Sequence, residues 1–189
     1  MSRTTIALLV AATGVVSACT NSTQLVATWK SPTAEHHPLT KSLAVFMTKD
    51  AGMRRMVEDK LASRIPGGVA SYKVIPDSEL QNIDHVRARL AEQGFDGAVV
   101  MRLVGMTTEV TPTGTDFYGY WGYWGSAYDP VYYTTQQVYS VETSVYSVKD
   151  DKLIWMGRSQ TIDPKNANKL ADFSVNFAVN NMRRDGIIR

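Results

Sequence analysis

The chain has 189 residues, of which 44% are hydrophobic and 20% are charged, and its formal net charge is +2. That length suits one well-filled domain and is too short for two. Because lysine and arginine are scattered among the acidic residues without a basic run, the composition argues against a nucleic-acid partner. The single cysteine, Cys19, excludes an intramolecular disulfide and a cysteine metal cluster.

Residues 1–18 have the pattern of an export signal peptide. Arg3 is the only charged residue, and residues 6–16 form an apolar stretch shorter than the roughly 20 residues needed to span a bilayer. The sequence Val-Ser-Ala-Cys that ends at Cys19 resembles the lipobox of bacterial lipoproteins. The resemblance implies cleavage between Ala18 and Cys19, with diacylglycerol and palmitate-type chains holding Cys19 to membrane lipid. A secretory signal with an incidental cysteine is the alternative.

Residues 19–41 predict a lipidated N-terminus followed by a tether. By resemblance to enterobacterial lipoproteins, in which Asp after the cysteine favours the inner membrane, Thr20 favours the outer membrane facing the periplasm. The segment is rich in Thr, Ser, Asn and Pro, as in a solvated linker, and Trp29 is expected to dock on the side of the domain. Since His36 and His37 are adjacent and have no third ligand nearby, no metal is predicted.

Residues 42–48 predict a buried strand, and a helix capped by Asp50 follows. Apolar residues recur in this helix at spacings of three and four: Met53, Met56, Val57, Leu61 and Ile65. Its charged residues are interpreted as a solvated face: Arg54, Arg55, Glu58 and Asp59. Pro-Gly-Gly at 66–68 ends the helix, and residues 70–75 predict a second strand.

A second helix is predicted after Pro76, with Ser78 and Gln81 at capping-box spacing and Gly94 at its end. Within it His85 adjoins Asp84, but neighbours in a helix point about 100° apart and cannot hold each other's side chains. His85 is therefore predicted to be a surface residue.

The remaining elements complete a single α/β (α+β) domain over residues 42–189. Residues 97–106 predict a central strand, 138–148 and 153–162 an antiparallel hairpin, and 164–184 a helix that lies close on the sheet through small residues. The order βαβαβββα predicts a mixed five-stranded sheet with three helices and a long aromatic loop between strands 3 and 4.

That loop, within residues 113–133, holds nine of the chain's eighteen aromatic residues. Long loops without structure of their own are uncommon in compact domains and are often functional. The candidate interaction residues are Phe117, Tyr118, Tyr120, Trp121, Tyr123, Trp124 and Tyr128.

Three interpretations of the aromatic segment remain open. The rings pack on each other and extend the flanking strands into a longer hairpin, which is the favoured interpretation. Alternatively they form a docking surface for a protein, because Tyr and Trp dominate interface hot spots. In the third interpretation they lie against lipid headgroups or a sugar.

Short charged, aromatic and apolar stretches are spread over the chain: the charged residues of 54–59, Ser71-Tyr72, Phe95-Asp96-Gly97, residues 100–103, the aromatic segment, Val141-Glu142-Thr143 and Leu153-Ile154-Trp155. This pattern resembles a broad group of uncharacterised bacterial lipoproteins, which has no established activity. The inferred topology is also similar to the N-terminal domain of the Tol-system protein TolB and to the α/β core of the curli-secretion lipoprotein. That fold-level resemblance implies an assembly role.

Motifs of nucleophilic, metal-dependent, nucleotide-binding or dinucleotide-binding enzymes are not found in the sequence, so no cofactor is predicted. Four acidic residues remain as candidates, and their spacing in the sequence does not show whether they lie close together in the fold: Asp77, Asp96, Glu109 and Glu142. We therefore predict a non-enzymatic envelope lipoprotein that binds or organises an envelope protein or a cell-wall component. A small envelope hydrolase on the same scaffold is the alternative.

Overall fold

The computed structural model describes residues 23–32, 38–79, 82–113 and 132–189. The strands are β1 (Thr23–Lys30), β2 (Ser42–Phe46), β3 (Val69–Ala70), β4 (Gly97–Thr113), β5 (Tyr132–Ser147) and β6 (Lys152–Ile162). The helices are α1 (Ala51–Ala62), α2 (Ser71–Val74), α3 (Ile83–Glu92) and α4 (Ala167–Arg184), with a 3-10 helix at Asp77–Glu79. The strands form one sheet in the order β1-β6-β5-β4-β2-β3.

The sheet is mixed, as predicted. Strand β2 pairs in parallel with β3 and β4, whereas β4, β5, β6 and β1 pair antiparallel in succession. Parallel pairing follows from the helical crossovers on either side of β3, and antiparallel pairing from the direct connection of β5 to β6. The central position of β4 and the β5–β6 hairpin are confirmed.

The predicted counts of five strands and three helices are wrong, because the described residues contain six strands and four helices. The sixth strand is β1, which lies inside the segment whose composition predicted a tether. Among the described strands it pairs with β6 alone, and every residue after Thr23 in it is exposed. An edge strand of this kind has no buried face, so its sequence lacks the apolar alternation that predicts strands.

The fourth helix is α2, which occupies most of the predicted strand 70–75 and leaves only Val69–Ala70 in the sheet. The Glu58 carboxylate accepts a hydrogen bond of 3.1 Å from the backbone N–H of Tyr72, which satisfies a donor in the first turn of α2. The predicted capping box at Ser78 is also wrong, since the cap of α3 is Asn82, whose side chain accepts from the His85 N–H at 3.2 Å.

The main core lies between the sheet and the two helices α1 and α4. Trp155 and Val175 are almost completely buried there, with Leu61 of α1 beside them. The predicted small-residue face of α4 is confirmed, because Ala171 and Ala178 are buried in this core. A second, smaller cluster packs α3 on the opposite face of the sheet: Leu43, Ile75, Leu90 and Phe95.

Within the described residues no helix is both long enough and apolar enough to cross a membrane.

Candidate functional site

Strands β4 and β5 extend well beyond the rest of the sheet. They pair from Gly97 with Ser147 to Thr113 with Tyr132. Strand β2 accompanies β4 only along residues 97–101, and β6 accompanies β5 only along residues 138–147. Residues 108–113 and 132–137 therefore form a two-stranded projection. Met106 and Thr107 lie at its base, where their partners on β5 still pair with β6. We call residues 106–113 and 132–137 the β4–β5 ribbon.

One face of the ribbon carries exposed apolar and aromatic side chains, with Thr108, Thr135 and Gln137 between them. Because side chains alternate along a strand, Met106 and Val110 point to the same side. Tyr133 joins them from β5, since it pairs with Pro112. These three side chains are 63%, 58% and 64% exposed, respectively. The opposite face of β4 carries Thr107, Glu109 and Thr111. The face with Met106, Val110 and Tyr133, which we call the apolar face of the ribbon, is thus open to solvent, and the one charged residue of the ribbon lies on the opposite face.

A cavity of about 250 Å³ lies near the base of the ribbon, at the carboxyl end of β2 and beside the middle of β4. Its exposed rim includes Met47 and Leu103, and its buried lining includes Met101 and Val141. In open α/β sheets this end of the strands is where ligands commonly bind. Ser174 of α4 also lines the cavity, and its buried hydroxyl has no hydrogen-bond partner among the described residues.

Glu142 of β5 lies between two arginines on the neighbouring strands. It pairs directly with Arg102 of β4 on one side and with Arg158 of β6 on the other. Arg158 Nη2 donates to Glu142 Oε2 at 2.7 Å, and Arg102 donates through Nε and Nη2 to Oε1 at 2.9 and 2.6 Å. The hydrogen bond from Arg158 is the main factor that holds the pKa of Glu142 below its ordinary value, although burial opposes it; Arg102 adds to the effect. Glu142 is therefore a buried anion fixed by two half-exposed cations.

Asp96 also has a structural role. Its carboxylate accepts from the Thr40 N–H at 2.6 Å, the Thr40 hydroxyl at 2.7 Å and the Lys41 N–H at 3.0 Å. These bonds tie the entry of β2 to the turn before β4. Glu109 is exposed on the ribbon, so the described carboxylates of Asp96, Glu109 and Glu142 do not share one site. His85 is exposed on α3, as predicted.

The prediction that the charged residues of α1 form a solvated face is wrong for Glu58. Its side chain is completely buried and accepts from the Phe46 N–H at 3.0 Å, Arg54 Nε at 3.1 Å and the Ser71 hydroxyl at 2.7 Å. Together with the bond to Tyr72, these contacts join α1 to the end of β2 and to α2. Sequence reasoning missed this role because two of the donors are backbone groups.

Several predicted site residues lie outside the described residues. These are Ala18 and Cys19 of the lipobox, His36 and His37, and the aromatic candidates Phe117, Tyr118, Tyr120, Trp121, Tyr123, Trp124 and Tyr128. The flanking strands reach this aromatic segment as a long hairpin. In the part of the chain that the structure describes, no three His, Cys, Asp or Glu side chains are grouped so that they could hold a metal ion.

The fold and its exposed surface define a small mixed α/β domain with a projecting amphipathic ribbon. No protein-family model and no curated protein matches the chain. Similar solved structures include a PelC dodecamer from Paraburkholderia phytofirmans, with 11% identity and a TM-score of 0.42 over 80% of this chain and 90% of that chain. They also include lipoprotein GNA1162 from Neisseria meningitidis, with 12% identity and a TM-score of 0.40 over 78% and 99%. At these values neither likeness carries a function to this chain.

Proposed function

We propose that this chain is a bacterial envelope lipoprotein held to the membrane through acylated Cys19, with a non-enzymatic domain that makes contact through the β4–β5 ribbon and the aromatic segment. The lipobox sequence before Cys19 supports the anchor, and Thr20 favours the outer membrane facing the periplasm. Several acyl chains would make the attachment effectively permanent, because one chain alone binds membranes only marginally.

The exposed apolar face of the ribbon is the observation that carries the contact role. A two-stranded ribbon without a packed face is marginally stable by itself in water. Here Val110 and Tyr133 stay mostly exposed on the projection, Met106 is exposed at its base, and no other described strand pairs along residues 108–113 and 132–137. Clustered exposed apolar residues commonly mark interaction surfaces.

The carboxylates support a contact role over hydrolysis. A general acid or base needs a carboxyl that can exchange its proton near a substrate. Asp96 is instead bonded to backbone and hydroxyl donors, and Glu142 is held as an anion between Arg102 and Arg158. Both carboxylates therefore stabilise the fold.

Photo-crosslinking in cells tests the contact role. A photoreactive amino acid is placed at Val110 on the ribbon or at Tyr123 in the aromatic segment, and the control is placed at Lys149 in the turn at the far end of the β5–β6 hairpin. We expect crosslinks to an envelope component from Val110 and Tyr123, and none from Lys149.

Replacement of residues 117–124 by Gly and Ser should remove the crosslink from Val110 while the domain remains folded. Equal crosslinking from Val110 and Lys149, or crosslinks that persist after this replacement, would contradict the proposed contact surface.

A further inference from the structure

We infer that the ribbon end of the domain faces the lipid surface to which Cys19 is attached, with the apolar face of the ribbon in the interfacial layer of the bilayer. This inference rests on the proposed acylation of Cys19 and names the partner of the proposed contact surface. The partner is a lipid surface. The apolar side chains of the ribbon would be buried in it, next to the hydroxyl and aromatic groups of the ribbon.

The first step is the position of β1. Thr23, its first residue, pairs with Thr161 of β6, and Tyr139 of β5 pairs with the same Thr161. The hydroxyls of Thr23 and Thr161 lie 3.0 Å apart and are hydrogen-bonded. Since the ribbon leaves the sheet just beyond Tyr139, the chain enters the sheet at the end from which the ribbon projects.

The ribbon and the segment before Thr23 differ in how far they can reach from this end of the sheet. Cys19 precedes Thr23 by four residues, a span of at most about 14 Å even when fully extended. Strand β5 continues from Tyr139 to Tyr132 over seven residues, which corresponds to about 24 Å at the rise of an antiparallel strand. The ribbon thus reaches farther from this end of the sheet than the lipid-bearing residue can. A membrane that holds Cys19 lies within reach of the ribbon.

The third step is the chemistry of the ribbon. Residues 106–113 and 132–137 contain one charged residue, Glu109, and many hydroxyl groups. Met106 and Val110 are more than half exposed on the apolar face, and Tyr133 is exposed beside them. Tyrosine is enriched at membrane interfaces, and amphipathic helices lie in the interface with their apolar face buried about 5–10 Å; the ribbon would present its apolar face in the same way.

The apolar cavity lies at the same end of the sheet. Met47 and Leu103 on its rim are 62% and 48% exposed. Leu103 belongs to β4 three residues before Met106, so the exposed apolar residues extend from the ribbon toward the carboxyl end of β2. A lipid surface would cover both regions at once.

The test uses the full-length lipidated protein in vesicles of phosphatidylethanolamine and phosphatidylglycerol. Since Cys19 is the only cysteine in the sequence, a thiol introduced by Val110→Cys can be labelled with an environment-sensitive fluorophore once Cys19 is acylated. Thr111→Cys, the adjacent residue on the polar face, and Lys149→Cys, at the far end of the domain, are matched controls. We expect the label at Val110 to shift to shorter wavelength and to lose most of its fluorescence to a quencher carried on lipid tails. The label at Thr111 should respond less, and that at Lys149 should not respond.

Flotation of the protein with the vesicles separates the two proposals. If the protein does not float and its Cys19 carries no lipid, the proposed anchor fails. If it floats but the three labels remain equally accessible to a quencher in water, the anchor stands and the orientation is wrong. A blue-shifted label at Val110 that lipid-borne quenchers do not reach would indicate a protein partner and would also overturn the inference.

Discussion

Glu58 and Asp59 are sequence neighbours on α1, and their surroundings differ completely. Glu58 is fully buried among backbone, hydroxyl and guanidinium donors, while Asp59 is half-exposed and binds Lys73 Nζ at 2.7 Å. Removing a buried carboxylate leaves its donors without a partner, whereas exposed ion pairs contribute little. The same charge on adjacent residues therefore has very different effects on stability.

We predict that Glu58→Ala lowers the free energy of unfolding by about 3 kcal/mol or more, and that Asp59→Ala lowers it by at most about 1 kcal/mol. Urea unfolding followed by circular dichroism measures both. Similar losses in the two variants would show that the Glu58 contacts are not formed in solution.

Glu142 makes a pH-dependent contribution. Its pKa in the folded protein lies below the ordinary value of 4.5, chiefly because Arg158 binds the ionised form. The stabilisation is therefore fully present above pH 4.5 and is lost as the pH falls toward the folded-state pKa. We expect Glu142→Gln to cost about 1 kcal/mol at neutral pH, because both arginines are half-exposed.

Urea unfolding of wild type and Glu142→Gln at several pH values checks this prediction. The difference in free energy of unfolding should shrink as the pH falls below 4.5. Glu109→Gln, which changes an exposed carboxylate on the ribbon, should leave stability within about 0.5 kcal/mol at neutral pH. A difference for Glu142→Gln that is the same at all pH values would contradict the ionic origin of its contribution.

The close packing of α4 on the strands beneath it depends on a glycine. A Cβ at Gly157 of β6 would collide with the ring of Trp155, which is almost completely buried under α4. At Gly105 of β4 the nearest atom to such a Cβ is Ser140 Cβ at 3.7 Å, an ordinary contact. The two glycines thus differ in the space around them, although both lie in strands.

Gly157→Ala is expected to destabilise the protein by about 1–3 kcal/mol through overpacking, and Gly105→Ala to be neutral or slightly stabilising. Thermal unfolding of the two variants against wild type distinguishes these outcomes. Equal melting temperatures for the two variants would be inconsistent with the packing of Trp155 against Gly157.

Elements with a buried face could be predicted from the sequence, and those without one could not. The apolar run of β4 and the small-residue face of α4 both reflect burial in the main core. Strand β1 is an exposed edge, and α2 depends on a carboxylate thirteen residues or more earlier in the chain. Such long-range contacts leave no local periodicity.

The candidate site was predictable only in part. The aromatic residues singled out the segment between the third and fourth predicted strands, which are β4 and β5 in the structure. These two strands do extend into a long pair. The ribbon's apolar face was missed because Met106 and Val110 are separated by Thr and Glu, which does not resemble a core strand. Its exposure follows from the early ends of β2 and β6, which depend on the tertiary arrangement.

In the whole molecule, the proposed anchor at Cys19 and the position of β1 together set how the domain is oriented. If Cys19 is acylated, the short connection to Thr23 keeps the domain close to the lipid, and the register of β1 with β6 sets which end is near it. The anchor is therefore the claim on which both the contact role and the orientation depend.

Mass spectrometry of the N-terminal peptide, purified from bacterial membranes, tests that claim most directly. We predict a mature protein that begins at Cys19 and carries the mass of diacylglycerol, with or without a further acyl chain on its amino group. Cys19→Ser should lose this modification and remain uncleaved at that position. A wild-type peptide that retains residues 1–18, or one whose Cys19 carries no lipid, would contradict the account.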